Sequence, residues 1–366
     1  MERQVTRRAV LAAGLTALAG CTGGAGSSGG TTTQTTTDST TGATSTTESG
    51  TTTGTGDVPV AESQLPLEYT FNELRDAVHT GARKDAIPAI DEPVFVSPDE
   101  AEVDDEAIVF GIAAGETVKA YPQQILVWHE VVNDVVDGTP LAVTYCPLTG
   151  TALGFERGTT TFGVSGKLVN NNLVMYDRAT DSWWSQILGT AFRGQYEGDS
   201  LRGHPLVWTT WGKWRDRFPD TEVLSQETGF LRNYGNDPYG SYNPKGGYYT
   251  QDSTLFDTLV KDGRHHPKEV FVGTRGQGGV VAIQEAEIAD RGVVPAGEYL
   301  AVHHPDLDAT YTYHNPEGVE FSAGDTGIVG PEETHRPDDL PLDRVMAFDA
   351  MWFAWVGFYP STEVIA

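Results

Sequence analysis

Cysteine is almost missing from this chain. Among 366 residues there are two, Cys21 and Cys146. The first closes the run Leu18-Ala19-Gly20-Cys21, which reads as a lipoprotein cleavage site, so its thiol is expected to carry a lipid. Cys146 is then left without a partner, and no intramolecular disulfide can hold the exported domain together. Stability has to come from a buried core, for which the Trp, Tyr and Phe content supplies the material. Positive charge is scarce as well. Lys and Arg number 24 against 51 Asp and Glu, a surplus that repels phosphate backbones and excludes nucleic acid as a partner. Long apolar runs are missing too: residues 9–20 are too short for a permanent span, and residues 346–359 are interrupted and read as core. No Gly-rich loop follows a strand and opens a helix, so nucleotide binding has no support.

At the amino terminus, Arg7-Arg8 precede an uncharged run, the pattern of a twin-arginine signal that exports folded proteins. Residues 1–20 are expected to be this signal. Cleavage before Cys21 would anchor the protein by lipid to the outer face of the cytoplasmic membrane. Residues 21–56 are nearly all Thr, Ser and Gly, which leaves no apolar side chains to bury, so they read as a disordered tether with room for O-glycosylation. Residues 57–366 are long enough for one large folded domain. The acidic surplus is spread along that part rather than gathered into a tail. This balance resembles the solvation device of proteins from salt-loving archaea.

Turn and period signals predict an α+β fold, mainly antiparallel β with a few short helices. Thr70 and Glu73 form a capping box opening a helix over 70–79. A hairpin is expected over 107–120 around Gly115-Glu116. Pro122 then starts a helix whose face carries Ile125, Trp128, His129 and Val132. Strands at 141–146 and 151–155 flank the turn Pro147 to Gly150, so Cys146 lies at a strand end. Strands at 160–164 and 173–177 are separated by a polar loop holding Ser165-Gly166-Lys167 and Asn170-Asn171-Asn172. A helix over 211–218 stops before Pro219. Residues 229–247 fit neither period and read as an ordered functional loop or domain seam. Residues 269–288 line up in length with 107–126, a weak repeat that implies two related lobes, about 83–228 and 248–366.

The segments KAYP, WHEVVND, VTYCPLTGTA, FGVSGKL, NNLVMYDRATDSWW, RNYGNDPYGSY and MWFAWVGFYPST resemble, in this order, the exported bacterial and archaeal proteins grouped as domain-of-unknown-function family 3179. The likeness runs from about residue 83 to the end. It implies an exported domain and no known activity. Many members have a second cysteine three places after the first, as in CPLC. This chain has Thr149 there, which speaks against a Cys-x-x-Cys redox or metal pair.

Cys146 admits three readings: a small buried apolar side chain, a nucleophile activated by His129 or Lys167, or a soft ligand that with His129 suits copper or zinc. A closed zinc site wants four ligands. Ser165, Lys167, Asn171 and Asn172 could form an anion-binding loop or an ordinary polar turn. Asp177, Arg178 and Trp184 suit either a buried prop or a substrate-binding set. Arg232 and Tyr234 sit in the Gly/Asn/Tyr loop that could meet sugar or peptide. Glu130 reads as solvated, and His265-His266 and His303-His304 have metal-like spacing.

The first functional expectation is a surface-anchored thiol-dependent hydrolase or transferase, with Cys146 as nucleophile, His129 as base, and Lys167 and Asp177 in the same pocket. The others are a copper- or zinc-binding protein using Cys146 and His129, and a non-catalytic module for a small-molecule or cell-surface ligand. The enzyme comes first because the polar residues of 119–186 gather around one thiol.

Overall fold

Apolar residues on either side of Gly115, which takes a left-handed φ of 55°, zip into the antiparallel hairpin Ile108–Ala114 and Thr117–Pro122. This computed structural model describes residues 57–366. The export signal, the lipid site at Cys21 and the Thr/Ser/Gly tether lie outside the described residues. The hairpin gains Val207–Thr210 antiparallel on one edge and Glu222–Leu224 parallel on the other. The helix Trp211–Arg217 joins those two edges. From it the Trp214 indole lies across Gly111, so closely that any Cβ at that position would fall inside the ring. Its Nε1–H donates to Thr221 Oγ1 at 3.0 Å. The indole therefore closes the unit.

The same construction recurs. The hairpin Val270–Gly276 and Gly279–Gln284 gains Ala347–Met351 antiparallel and Glu363–Ile365 parallel, joined by the helix Trp352–Phe358. Trp355 lies across Gly273 and donates to Thr362 Oγ1 at 3.0 Å. The elements after each hairpin also match. A short helix, Gln123–His129 or Glu285–Arg291, ends on a residue with left-handed φ, Glu130 at 59° or Gly292 at 73°. Three antiparallel strands follow: Val131–Val136, Thr139–Cys146 and Thr151–Glu156 in the first repeat, Val293–Ala296, Tyr299–His304 and Ala309–His314 in the second.

The two repeats complete each other's cores. Trp211 and Trp214 of the first cluster with Leu300, Val302 and Tyr311 of the second. Trp352 and Trp355 of the second cluster with Ala142, Cys146 and Leu153 of the first. Burying four indoles this way removes several hundred Å2 of apolar surface from water, the main stabilising term available without disulfides. A further sheet, Phe162–Val169, Asn172–Asp177, Trp183–Ser185 and Thr190–Arg193, is inserted into the first repeat and brings the Asn170-Asn171 turn to its strand ends.

The result is mainly antiparallel β with five short α-helices among the described residues, as the patterning predicts. Thr70 caps the helix Phe71–Asp76 through the expected capping box. Two local expectations fail. The helix after Pro122 stops at His129, because Glu130 turns left-handed and the β-branched residues after it are extended. Ser165 to Lys167 lie within the strand Phe162–Val169, at a register shift where Gly166 has φ 73°. A bulge takes the place of the predicted loop.

Replacing Gly111 or Gly273 by alanine should lower unfolding free energy by at least about 2 kcal/mol, since the indole has no room to retreat. Gly246→Ala, where no atom lies within 4 Å of the added methyl, should stay within about 0.5 kcal/mol. Equal urea midpoints for all three would refute the role given to the tryptophan contact.

Candidate functional site

Cys146 ends the strand Thr139–Cys146, and the chain reverses at once: Thr149 N–H donates to the Cys146 carbonyl at 3.3 Å, and Gly150 takes φ 59°. A buried polar network braces this turn. Gln186 donates to Thr144 Oγ1 at 2.9 Å and accepts from Thr151 Oγ1 at 2.7 Å. Asn172 donates to Gln186 Oε1 at 2.7 Å and to Thr149 Oγ1 at 3.0 Å, and its own carbonyl accepts from the Ile187 N–H at 3.0 Å. Thr149 is thus tied into the brace.

The thiol above the brace is sealed from solvent, with its S–H directed at the Asn171 carbonyl at 3.6 Å. Tyr248 packs on the turn and donates to the Leu148 carbonyl at 2.9 Å, and Tyr239 lies against Tyr248 with ring centres 6.0 Å apart. The second repeat adds Lys268. The N–H groups of Trp352 and Phe353 bind the carbonyls of Glu269 and Pro267 at 2.8 and 3.2 Å, fixing the chain on either side of it. Its Nζ sits 3.4 Å from the Tyr248 ring centre and 4.5 Å from that of Phe353, buried and without a hydrogen-bond partner. Glu130 comes from the left-handed helix end and is 5% exposed.

These groups perturb one another. Burial, then the Glu130 charge, pushes the Cys146 thiol up to about 12, against the pull of the Thr149 hydroxyl and the Leu173 and Thr149 amides. Burial alone lifts Glu130 to about 8. Burial brings Lys268 down to about 7, opposed only by the nearby thiol. Near neutral pH each is thus held toward its uncharged form. Ionisable groups buried without partners cost several kcal/mol, and their concentration at one seam makes it the candidate functional site.

Residues 84–362 match the family described as "Protein of unknown function (DUF3179)". The chain belongs to this family. No curated protein and no solved structure matches the chain. Within this DUF3179 chain the site sits where the motif-bearing first repeat meets Lys268 of the second.

Of the residues predicted for the site, the structure brings Cys146, Asn171 and Asn172 together, Asn171 at the thiol and Asn172 at its turn, and disperses the others. His129 is engaged at both ring nitrogens, Nδ1 with the Pro88 carbonyl and Nε2 with the Tyr234 hydroxyl, each at 2.7 Å, and burial lowers its pKa. Tyr234 thereby serves as a strut. Lys167 Nζ donates to Thr80 Oγ1 at 2.7 Å on an exposed edge. Asp177 accepts from Thr180 and from Trp184 Nε1 at 3.0 Å. Arg178 binds Asp91 at 2.6 Å, Ser165 bonds the Val174 carbonyl, and exposed Arg232 reaches only the Leu231 carbonyl. His265 and His266 face Glu269 and Asp252, and among the described residues no group of three or more His, Cys, Asp or Glu could hold a metal ion. Sequence reasoning missed Lys268 and took Glu130 as solvated. A lysine before a strand looks like any other, and only its mate across the seam sets it apart.

The shifts set a pH window. Glu130 has a folded value near 8, above its ordinary 4.5, so its contribution is complete below about 4.5 and is lost as pH rises through about 8. Lys268 is depressed from 10.5 to about 7, so its contribution is complete at high pH and is lost as pH falls through 7. In urea unfolding from pH 4.5 to 8, Glu130→Gln should gain stability relative to wild type as pH rises. Lys268→Met should gain relative to wild type as pH falls from 10 to 6. Parallel pH profiles for variant and wild type would contradict this account.

Proposed function

We propose that this protein is an exported, membrane-anchored thiol-dependent acyl-transfer enzyme, a hydrolase or transferase, with Cys146 as nucleophile, Lys268 as general base and Glu130 as general acid. The convergence of a buried thiol, a buried lysine without a hydrogen-bond partner and a buried carboxyl carries this reading. A base is most useful with a pKa near the working pH, and Lys268 has that through desolvation. The Cys146 S–H gives its proton to the neutral Lys268 amine, and the thiolate and ammonium then stabilise each other in a dry site. The thiolate forms a C–S bond to the substrate carbonyl carbon. Protonated Glu130 supplies the proton with which the leaving group departs; water or a second acceptor then gives its proton to the Glu130 carboxylate as it attacks the thioester, and the departing thiolate takes its proton back from Lys268. Access requires the surrounding side chains, Tyr248 on the turn and Tyr239 against it, to move aside, since the thiol is sealed from solvent.

Iodoacetamide should label Cys146 in the folded protein near neutral pH, with the adduct located by mass spectrometry. Lys268→Met should slow labelling at least tenfold while near-ultraviolet circular dichroism is retained. A thiol that reacts only after denaturation, or a rate indifferent to Lys268, would remove the enzyme reading. The anchor rests on the twin arginines and Leu18-Ala19-Gly20-Cys21. Cys21→Ser should move the protein from the membrane fraction into the medium; unchanged partitioning would dismiss it.

A further inference from the structure

The second repeat holds a cavity at the place where the first holds its thiol. In the first repeat Cys146 pairs with Thr151 across the strand turn; in the second, His304 pairs with Ala309 in the same register. Glu130 closes the helix of the first and Gly292 that of the second. Where the first repeat carries a buried carboxyl the second has Gly292, with Ala323 packed against it, and beside them opens a pocket of about 560 Å3 lined by Gly292 and His304. That size suits a small organic ligand.

Its lining is charged in both senses. Arg217, at the end of the helix Trp211–Arg217, and Arg336 stand on the wall, with Asp306 and Asp325 on the same cavity. Both guanidinium groups are oriented from behind by Asp338, which binds Arg217 Nη2 at 3.3 Å and Arg336 Nε at 2.8 Å. Asp338 also accepts from Arg336 Nη2, so that edge of the guanidinium already holds a carboxylate, and the remaining N–H donors of the two arginines are left for another. His304 is 3% exposed, and neither ring nitrogen has a hydrogen-bond partner among the described residues; Nδ1 is fully sealed. A buried imidazole left unpaired costs free energy, of which a ligand bonded to Nε2 would recover part. Asp338 offsets part of the arginine charge, and what faces the cavity is guanidinium donors on one side and the Asp306 and Asp325 carboxylates on the other, which matches neither a simple anion nor a simple cation. They match a molecule that carries both charges.

We infer that the second repeat binds a small zwitterion of the α-amino acid class, its carboxylate held by Arg217, Arg336 and His304 and its ammonium directed to Asp306 and Asp325. The site is separate from the thiol and does not depend on the chemistry proposed there.

The test is calorimetric titration of the folded protein with the twenty free α-amino acids one at a time, with acetate and methylammonium as the two halves. At least one amino acid should bind with Kd below about 1 mM, while neither half does so at the same concentration. Arg336→Gln and Asp325→Asn, both at exposed side chains, should each weaken that binding at least tenfold. Cys146→Ser should leave it unchanged. Absence of binding by every amino acid, acetate binding as tightly as the amino acid, or binding that ignores both pocket substitutions but falls with Cys146→Ser would overturn the inference.

Discussion

A tryptophan laid across a glycine, once in each repeat, is the contact from which the remaining structure follows. Trp214 on Gly111 and Trp355 on Gly273 pin the outer strands of each unit to its hairpin, and the indole N–H on Thr221 or Thr362 sets the depth. Only glycine allows that approach, because a Cβ would occupy the ring. Once pinned, each unit presents an apolar face that it cannot cover itself, and the other repeat covers it. The last helix, Trp352–Phe358, is thereby carried into the first repeat. There Asn170 donates to the Phe353 and Ala354 carbonyls at 3.3 and 3.1 Å, and its own oxygen accepts from Leu259 N–H at 3.0 Å. The thiol lies on that seam because the cores interlock.

Interlocking also explains how unpaired ionisable groups persist. Lys268 is held by backbone bonds on both sides and by two aromatic rings, so it cannot swing out to water without undoing the start of the last helix. Glu130 is held by a helix end whose N–H binds the Leu126 carbonyl at 2.7 Å and whose carbonyl accepts from Tyr145 at 2.8 Å. The scaffold's stability compensates for the strain stored at the seam. One architecture yields two unlike sites: a closed, nearly uncharged cluster around Cys146 and an open, doubly charged cavity beside His304. A single difference at the helix end, glutamate or glycine, accompanies the divergence.

Much of this was legible from residue pattern. Local signals depend on neighbours a few positions away, so the Thr70 capping box, the hairpin around Gly115, the helix Trp211–Arg217 and the strand end at Cys146 could be read directly. The helix running through Val132 was misjudged because an apolar residue at a helical interval is equally an alternate residue of a strand. The bulge at Ser165 reads as a loop in sequence because polar residues suit both. His129 beside Cys146 was plausible in sequence, yet the imidazole turns to Pro88 and Tyr234, partners 41 and 105 residues away.

The sequence by itself determined the antiparallel β class, the membership of residues 84–362 in DUF3179, the unpaired state of Cys146 and the place of that thiol at a strand end. The membership rests on likeness of whole motifs; the others follow from composition, period and turn chemistry, which act over short stretches of chain. Tertiary structure alone decided which groups surround the sulfur. Lys268 stands 122 residues after Cys146 and reaches it only because two repeats bury each other's tryptophans. Its depressed pKa, like the raised values of Glu130 and Cys146, arises from burial, a property of how the repeats pack.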